Sequence, residues 1–300
     1  MKDKIVIASA MNHMVRIHAA CTTALCQEAD RLHDMYATSC AALGRTMTAA
    51  ALIASDLKSP EEHVTVSVDG KGPVGRISVQ ADGQGNVRGY VQNPKVYLFR
   101  ESDRKLDVGR AVGTDGTLTV SRDMGLKEPF TGVVKLVSGE IANDFAYYFA
   151  ISEQTPSVVA LGVLVDTDGS VRSAGGMFIQ LMPGAPEEVI SAVEQIAAAM
   201  KPMSSYIDAG MTPEAIISEL FDEPEFMEER PVQWNCDCSK EHFADALMLV
   251  SEEDLLSLIN EDHGAETVCQ FCSKKYQFSE EELRVILERH RHVEHRQRFH

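Results

Sequence analysis

Four cysteines near the C-terminus constrain this chain more than any other feature. Cys236 and Cys238 form a C-x-C pair, and Cys269 and Cys272 form a C-x-x-C pair thirty residues further on. Four soft thiolates presented by two short loops can close a tetrahedron around one metal ion, zinc above all, without a fifth ligand. The alternatives are four unrelated thiols or a purely structural zinc site, and spacing alone favours the structural site. The segment that carries the pairs spans about sixty residues, which is little core for independent folding, so much of its stability is expected to come from the metal. Oxidation of the thiolates would release the metal and unfold the module, converting peroxide chemistry into exposed apolar surface.

The rest of the chain is ordinary by comparison. At 300 residues and 33.0 kDa it has room for one large domain and a smaller module. Its 44% hydrophobic and 24% charged residues predict a packed core. The net charge of −17 opposes binding to nucleic acid or anionic membranes. The sequence offers neither a transmembrane run nor a signal peptide, so a cytoplasmic protein is expected, where thiols serve metal binding and redox sensing more than structural disulfides.

Lys4–Ala8 reads as a strand, and the Ala-rich stretch 28–57 as one long helix. Residues 64–68, 76–80 and 86–92 alternate apolar and polar side chains between Gly-rich turns, as hairpin-linked strands do. Further strands are expected at 117–122, 132–137, 158–165 and 171–181, with a helix at 140–152. This order predicts an α+β fold whose N-terminal part is a mainly antiparallel sheet with helices. A helical linker and a small zinc-binding domain follow. The expected boundaries are 1–182 for the core, 183–231 for the linker, 232–290 for the zinc-binding domain and 291–300 for a basic tail. Within the linker, Val189, Ile190, Val193, Ile196, Ala197 and Met200 form an apolar helical stripe. Thr212-Pro213-Glu214 opens a second helix, and the acidic run 222–231 reads as irregular.

Several short motifs carry a resemblance. They are Gly85-Asn86-Val87-Arg88-Gly89-Tyr90, Gly125-Leu126-Lys127-Glu128-Pro129, Val137-Ser138-Gly139-Glu140-Ile141-Ala142, Ser152-Glu153-Gln154-Thr155-Pro156-Ser157 and Ala174-Gly175-Gly176, followed by Cys236-Asp237-Cys238-Ser239 and Cys269-Gln270-Phe271-Cys272. With them, nearly the whole chain resembles the bacterial thirty-three-kilodalton redox-regulated heat-shock chaperones, which are ATP-independent holdases. The resemblance implies that one zinc ion is held by Cys236, Cys238, Cys269 and Cys272 in the reduced, inactive form. It implies that oxidation pairs Cys269 with Cys272 and then Cys236 with Cys238, expels zinc and loosens the linker. The exposed surface would then hold unfolding client proteins, with a homodimer as the active form.

Other signals point to less. Gly70-Lys71-Gly72-Pro73-Val74-Gly75 fits a dinucleotide-loop pattern, but a strand rather than a helix follows it, so a hairpin turn is expected. Ser152, Glu153 and Gln154 read as a turn after a helix. Cys21, Cys26 and Cys40 read as small core residues, and His290, His292, His295 and His300 as part of a solvated helix end. With neither a nucleophile–base pair nor a cofactor loop, an enzyme is not expected. The competing class is a zinc-ribbon adaptor that binds a protein partner without redox control.

Overall fold

The opening strand β1 (Lys4–Ala10) is buried along almost its whole length, the burial pattern of a strand covered on both faces. A turn in which Met11, Asn12 and His13 all take positive φ returns the chain as β2 (Val15–Cys21). Helices α1 (Thr23–His33) and α2 (Ala37–Ala54) follow. The single helix expected over 28–57 is broken at Asp34, whose left-handed backbone (φ 49°) ends α1 with its N–H donated to Asp30 O. Of the 18 residues of α2, 16 are buried. Ala, Gly, Ser and Thr dominate it because it is covered on all sides, which also explains its weak amphipathic pattern.

The chain continues through β3 (His63–Asp69), β4 (Ile77–Asp82), β5 (Asn86–Val91), α3 (Val108–Val112), β6 (Thr117–Asp123) and β7 (Phe130–Lys135). Next come α4 (Ala142–Ile151), β8 (Ser157–Val165) and β9 (Val171–Leu181). Helices α5 (Glu187–Ala199), α6 (Met203–Asp208) and α7 (Pro213–Leu220) lead to strands β10 (Glu225–Pro231) and β11 (Gln233–Trp234). Then follow α8 (Lys240–Leu247), α9 (Glu252–Asn260), β12 (Gly264–Val268), β13 (Lys275–Ser279) and α10 (Glu280–Gln297). The computed structural model describes residues 1–297, with side chains through 292.

These elements form two units, Met1–Asn235 and Cys236–His300. The first holds a five-stranded antiparallel sheet, ordered β10-β1-β2-β9-β8, and a six-stranded sheet, ordered β11-β5-β4-β3-β6-β7. In the second sheet every pair is antiparallel except β11 with β5. Helix α2 packs against strands of both sheets and, with Ile5, Ile7, Val64, Val79, Phe145 and Phe178, builds the larger core. On the other face of the five-stranded sheet, Val6, Ala8, Ile17 and Met177 meet α5, α6 and α7 through Val193, Tyr206, Ile216 and Ile217. The second unit pairs β12 with β13 and packs them with α9 and α10 around Leu255, Ile259, Tyr276, Phe278 and Leu283. The fold is α+β with antiparallel sheets, as the pattern of elements predicted.

Three expectations are corrected. The run 222–231, read as irregular, contains β10, an exposed and charged edge strand that pairs with β1 across more than two hundred residues. Charge on an edge strand guards against unwanted pairing and hides the strand from a search for apolar alternation. The boundary expected at 231/232 lies at 235/236, because Val232 is buried and Trp234 pairs with Val87 of β5. His290 is buried, with Nδ1 2.8 Å from Met248 O, while His292 is exposed. The His295 side chain and His300 lie outside the described residues. Gly70–Gly75 joins the antiparallel neighbours β3 and β4 as expected.

Candidate metal centre

Cys236 and Cys238 sit on the irregular lead into α8, just ahead of its N-cap Ser239. Ser239 fixes that helix start by accepting a hydrogen bond from His242 N at 3.1 Å. Cys269 and Cys272 come from the tight connection between β12 and β13. There Ser273 N donates to Cys269 O at 2.8 Å and Cys269 N to Lys274 O at 2.9 Å. Ser273 takes a left-handed φ of 59°, which turns the loop back sharply enough for both thiols to face one side.

The four Sγ atoms all lie within 4.8 Å of one another. Cys236 Sγ is 3.7 Å from Cys269 Sγ, and Cys238 Sγ is 3.4 Å from Cys272 Sγ. A tetrahedron of thiolates with metal–sulfur bonds of ~2.3 Å has edges of ~3.8 Å. The donor set therefore fits one four-coordinate metal ion. Cys269 is buried and the other three are partly exposed, so the site is shielded yet reachable by a small oxidant.

The electrostatics also favour a cation. Burial pushes Cys236 and Cys272 above the usual thiol range. Burial opposes ionisation of Cys238 as well, but hydrogen bonds from Tyr276 and the neighbouring thiols outweigh it and hold this thiol below its ordinary value. Four thiolates at this spacing repel one another, and a divalent ion reverses that balance.

Tyr276 is the residue that sequence reasoning missed. Its hydroxyl donates to Cys238 O at 2.7 Å and lies 3.2 Å from Cys238 Sγ. Its ring packs 5.1 Å from that of Phe243. The alternation of Tyr276 and Phe278 four and six positions after Cys272 was the available signal. Cys21, Cys26 and Cys40 are buried in the first unit, and burial raises the pKa of each. They are core residues, as expected, in surroundings that disfavour the thiolate. Ser152 caps α4, and Glu153 accepts from the Tyr148 hydroxyl at 2.5 Å and pairs with Arg122 at 3.1 Å.

A family model described as Hsp33 protein matches residues 3–279. The chain belongs to the Hsp33 family. Among its Hsp33 relatives, the 33 kDa chaperonin of Enterococcus faecalis is 49% identical over 285 residues, covering 94% of this chain and 95% of its own. The 33 kDa chaperonin of Staphylococcus aureus is 47% identical over 288 residues, covering 95% and 98%. The crystal structure of the Thermotoga maritima Hsp33 homologue superposes with a TM-score of 0.88 at 36% identity, over 96% of this chain and 98% of that one. These relatives carry a chaperone's name, and in this chain the four clustered cysteines of the second unit could hold a metal ion. No helix among the described residues is long and apolar enough to cross a membrane.

Proposed function

We propose that this Hsp33-family chain is a redox-regulated holdase that binds unfolding proteins in the cytoplasm under oxidative stress and prevents their aggregation. The observation that supports this reading is four Sγ atoms within 4.8 Å in a unit whose described apolar core comprises seven buried side chains. Helix α8 of that unit buries none of its residues. Such a unit draws its stability from the metal, so losing the ligands unfolds it. Zinc is the ion proposed, because four thiolates in a tetrahedral set match its preferences. Cys236, Cys238, Cys269 and Cys272 would hold it, and the bound ion would keep all four sulfurs ionised.

Peroxide would take two electrons from each thiol pair, giving one disulfide and water per pair. In the folded unit, short sulfur–sulfur contacts run between the pairs. The pairing proposed once the unit opens, Cys269 with Cys272 and Cys236 with Cys238, rests on the likeness to the Hsp33 family. The division of labour proposed is a client-binding core in 1–182, a conditionally ordered linker in 183–231 and a switch in the second unit. A homodimer is the proposed active form.

The test measures zinc content and free thiols on one sample, before and after peroxide with mild warming, alongside aggregation of an unfolding client. Release of one zinc with loss of four thiols, and client holding only afterwards, is the expected result. Equal holding by the reduced, zinc-loaded protein would remove the switch. Persistence of zinc and thiols together would leave a structural site and return the adaptor reading.

A further inference from the structure

Residues 225–235 lie as a strap along two sheet edges of the first unit. Strand β10 completes the outer edge of β1, running antiparallel from Lys4 opposite Pro231 to Ser9 opposite Glu225. Strand β11 then lies parallel on the edge of β5. The strap is chemically ill matched to the edge it covers. Arg230, Glu229 and Glu228 stand opposite Ile5, Val6 and Ile7, which are 1–2% exposed. The ladder is also interrupted by a register shift between Ile7 and Ala8, and β10 itself is exposed along nearly its whole length.

A few polar fastenings hold it. Arg230 Nη1 donates to the carbonyls of Leu57 at 3.0 Å and Gly83 at 3.3 Å, while its Nε donates to Glu228 at 2.7 Å. Lys4 Nζ donates to Glu229 at 3.0 Å. Pro231 O sits against Gly85, where a Cβ would lie 1.9 Å from it. Asn235 N donates to Val87 O at 3.1 Å, and the next residue is Cys236. The strap is thus joined end to end with the first cysteine of the metal cluster.

We infer that the outer edge of β1 is a seat for an extended apolar segment of an unfolding protein, kept occupied in the resting chain by the strap. The inference rests on the holdase reading above and names how the guest is recognised. The edge accepts an extended antiparallel segment, because β10 already lies there. A guest strand with aliphatic side chains sets them beside Ile5 and Ile7 on one face and Val6 and Ala8 on the other, where the strap offers mostly charge. Main-chain hydrogen bonds to β1 are indifferent to guest sequence, which suits a protein that must take many partners. Unfolding of the second unit frees the strap's C-terminal end, and the guest then competes with a tether fastened by polar contacts.

The experiment follows amide hydrogen exchange in the full-length protein, reduced with zinc and then oxidised. The oxidised protein is measured with and without reduced, carboxymethylated α-lactalbumin as a permanently unfolded probe. Oxidation is expected to strip protection from β10 and from the β1 amides that face it, and the probe to restore it to β1 alone. Arg230→Ala, which leaves every thiol in place, is expected to tighten probe binding by the oxidised protein several-fold. Glu228→Val gives up only a contact inside the strap, keeps the Arg230 contacts to Leu57 and Gly83 and sets an aliphatic side chain opposite Ile7, so it is expected to weaken probe binding several-fold. Interior amides of β2 and β9 report whether each variant is folded. If the oxidised wild type holds the probe while β10 stays protected or β1 stays open, the seat is wrong and the holdase function stands. Failure of both folded variants to move affinity in opposite directions overturns the seat in the same way. If the oxidised wild type holds no probe, the function falls and the seat with it.

Discussion

Tyr276 and His18 show how single polar side chains tie this chain to its environment. Tyr276 clamps the Cys238 carbonyl and sits beside its sulfur, so it orients a thiol that the sequence motif alone names. Tyr276→Phe is expected to lower metal affinity on the order of tenfold, as loss of an outer hydrogen bond to a ligand does. Competition with a chromogenic chelator measures it. His18 lies on β2 at 1% exposure, with Nδ1 2.9 Å from Ser55 Oγ, and Nε2 accepts from Arg16 Nε at 3.0 Å. Burial, only partly offset by Asp56, lowers its pKa from 6.5 to about 4. The folded protein therefore binds this proton less readily than the unfolded chain. Its contribution is complete above the unfolded value and is lost as pH falls from about 6.5 towards 4, a change of roughly 3 kcal/mol. Urea unfolding of His18→Asn at pH 7 and pH 4.5 should show a smaller decline than wild type, even though carboxylates add their own acid loss to both.

Among elements, those with a clean periodicity were legible and those without were not. Strands β3, β4 and β5 alternate in burial as their sequences alternate in polarity. Strand β2 escaped notice, because VRIHAAC is buried on both faces and the turn before it uses Met11, Asn12 and His13 at positive φ instead of glycine or proline. The break at Asp34 was invisible for the same reason. Helix α2 was found but its enclosure was not, since covering by two sheets is a long-range fact. Its tightest point is Gly44, where a Cβ would lie 2.8 Å from Val163 Cγ2 and 2.9 Å from Cys26 Sγ. Gly44→Val should cost about 1–3 kcal/mol through overpacking, read as a lowered midpoint of unfolding. The strap can be followed optically, because Trp234, the sole tryptophan, lies in β11 with its ring 6.1 Å from that of His33. Oxidation that releases the strap should shift its emission to longer wavelength, and Arg230→Ala should shift it at milder oxidation.

At the scale of the molecule, the two units should respond differently to metal. A chelator strong enough to strip the site is expected to abolish exchange protection in α8, α9 and α10 and leave the β1–β2–β9 interior protected. Equal protection of both units after complete removal would mean that the second unit folds without its ion. The cysteine pairs made this dependence legible in the sequence, since the ligands and their spacing are local. The strap was not legible, because its meaning depends on a partner strand at the other end of the unit.

That arrangement has a consequence for how the chain is made. Lys4 of β1 meets Glu229 of β10 at a sequence separation of 225 residues, so β1 is made long before the outer neighbour that pairs with it. At translation speeds of about 5–20 residues per second, the β1 edge stays open for roughly 11 to 45 seconds, and both cysteine pairs emerge later still. Every newborn copy thus passes through a stage with its guest seat bare and its lock unmade. During that interval the chain must itself avoid neighbouring nascent strands, until the polar strap emerges and pairs with the edge.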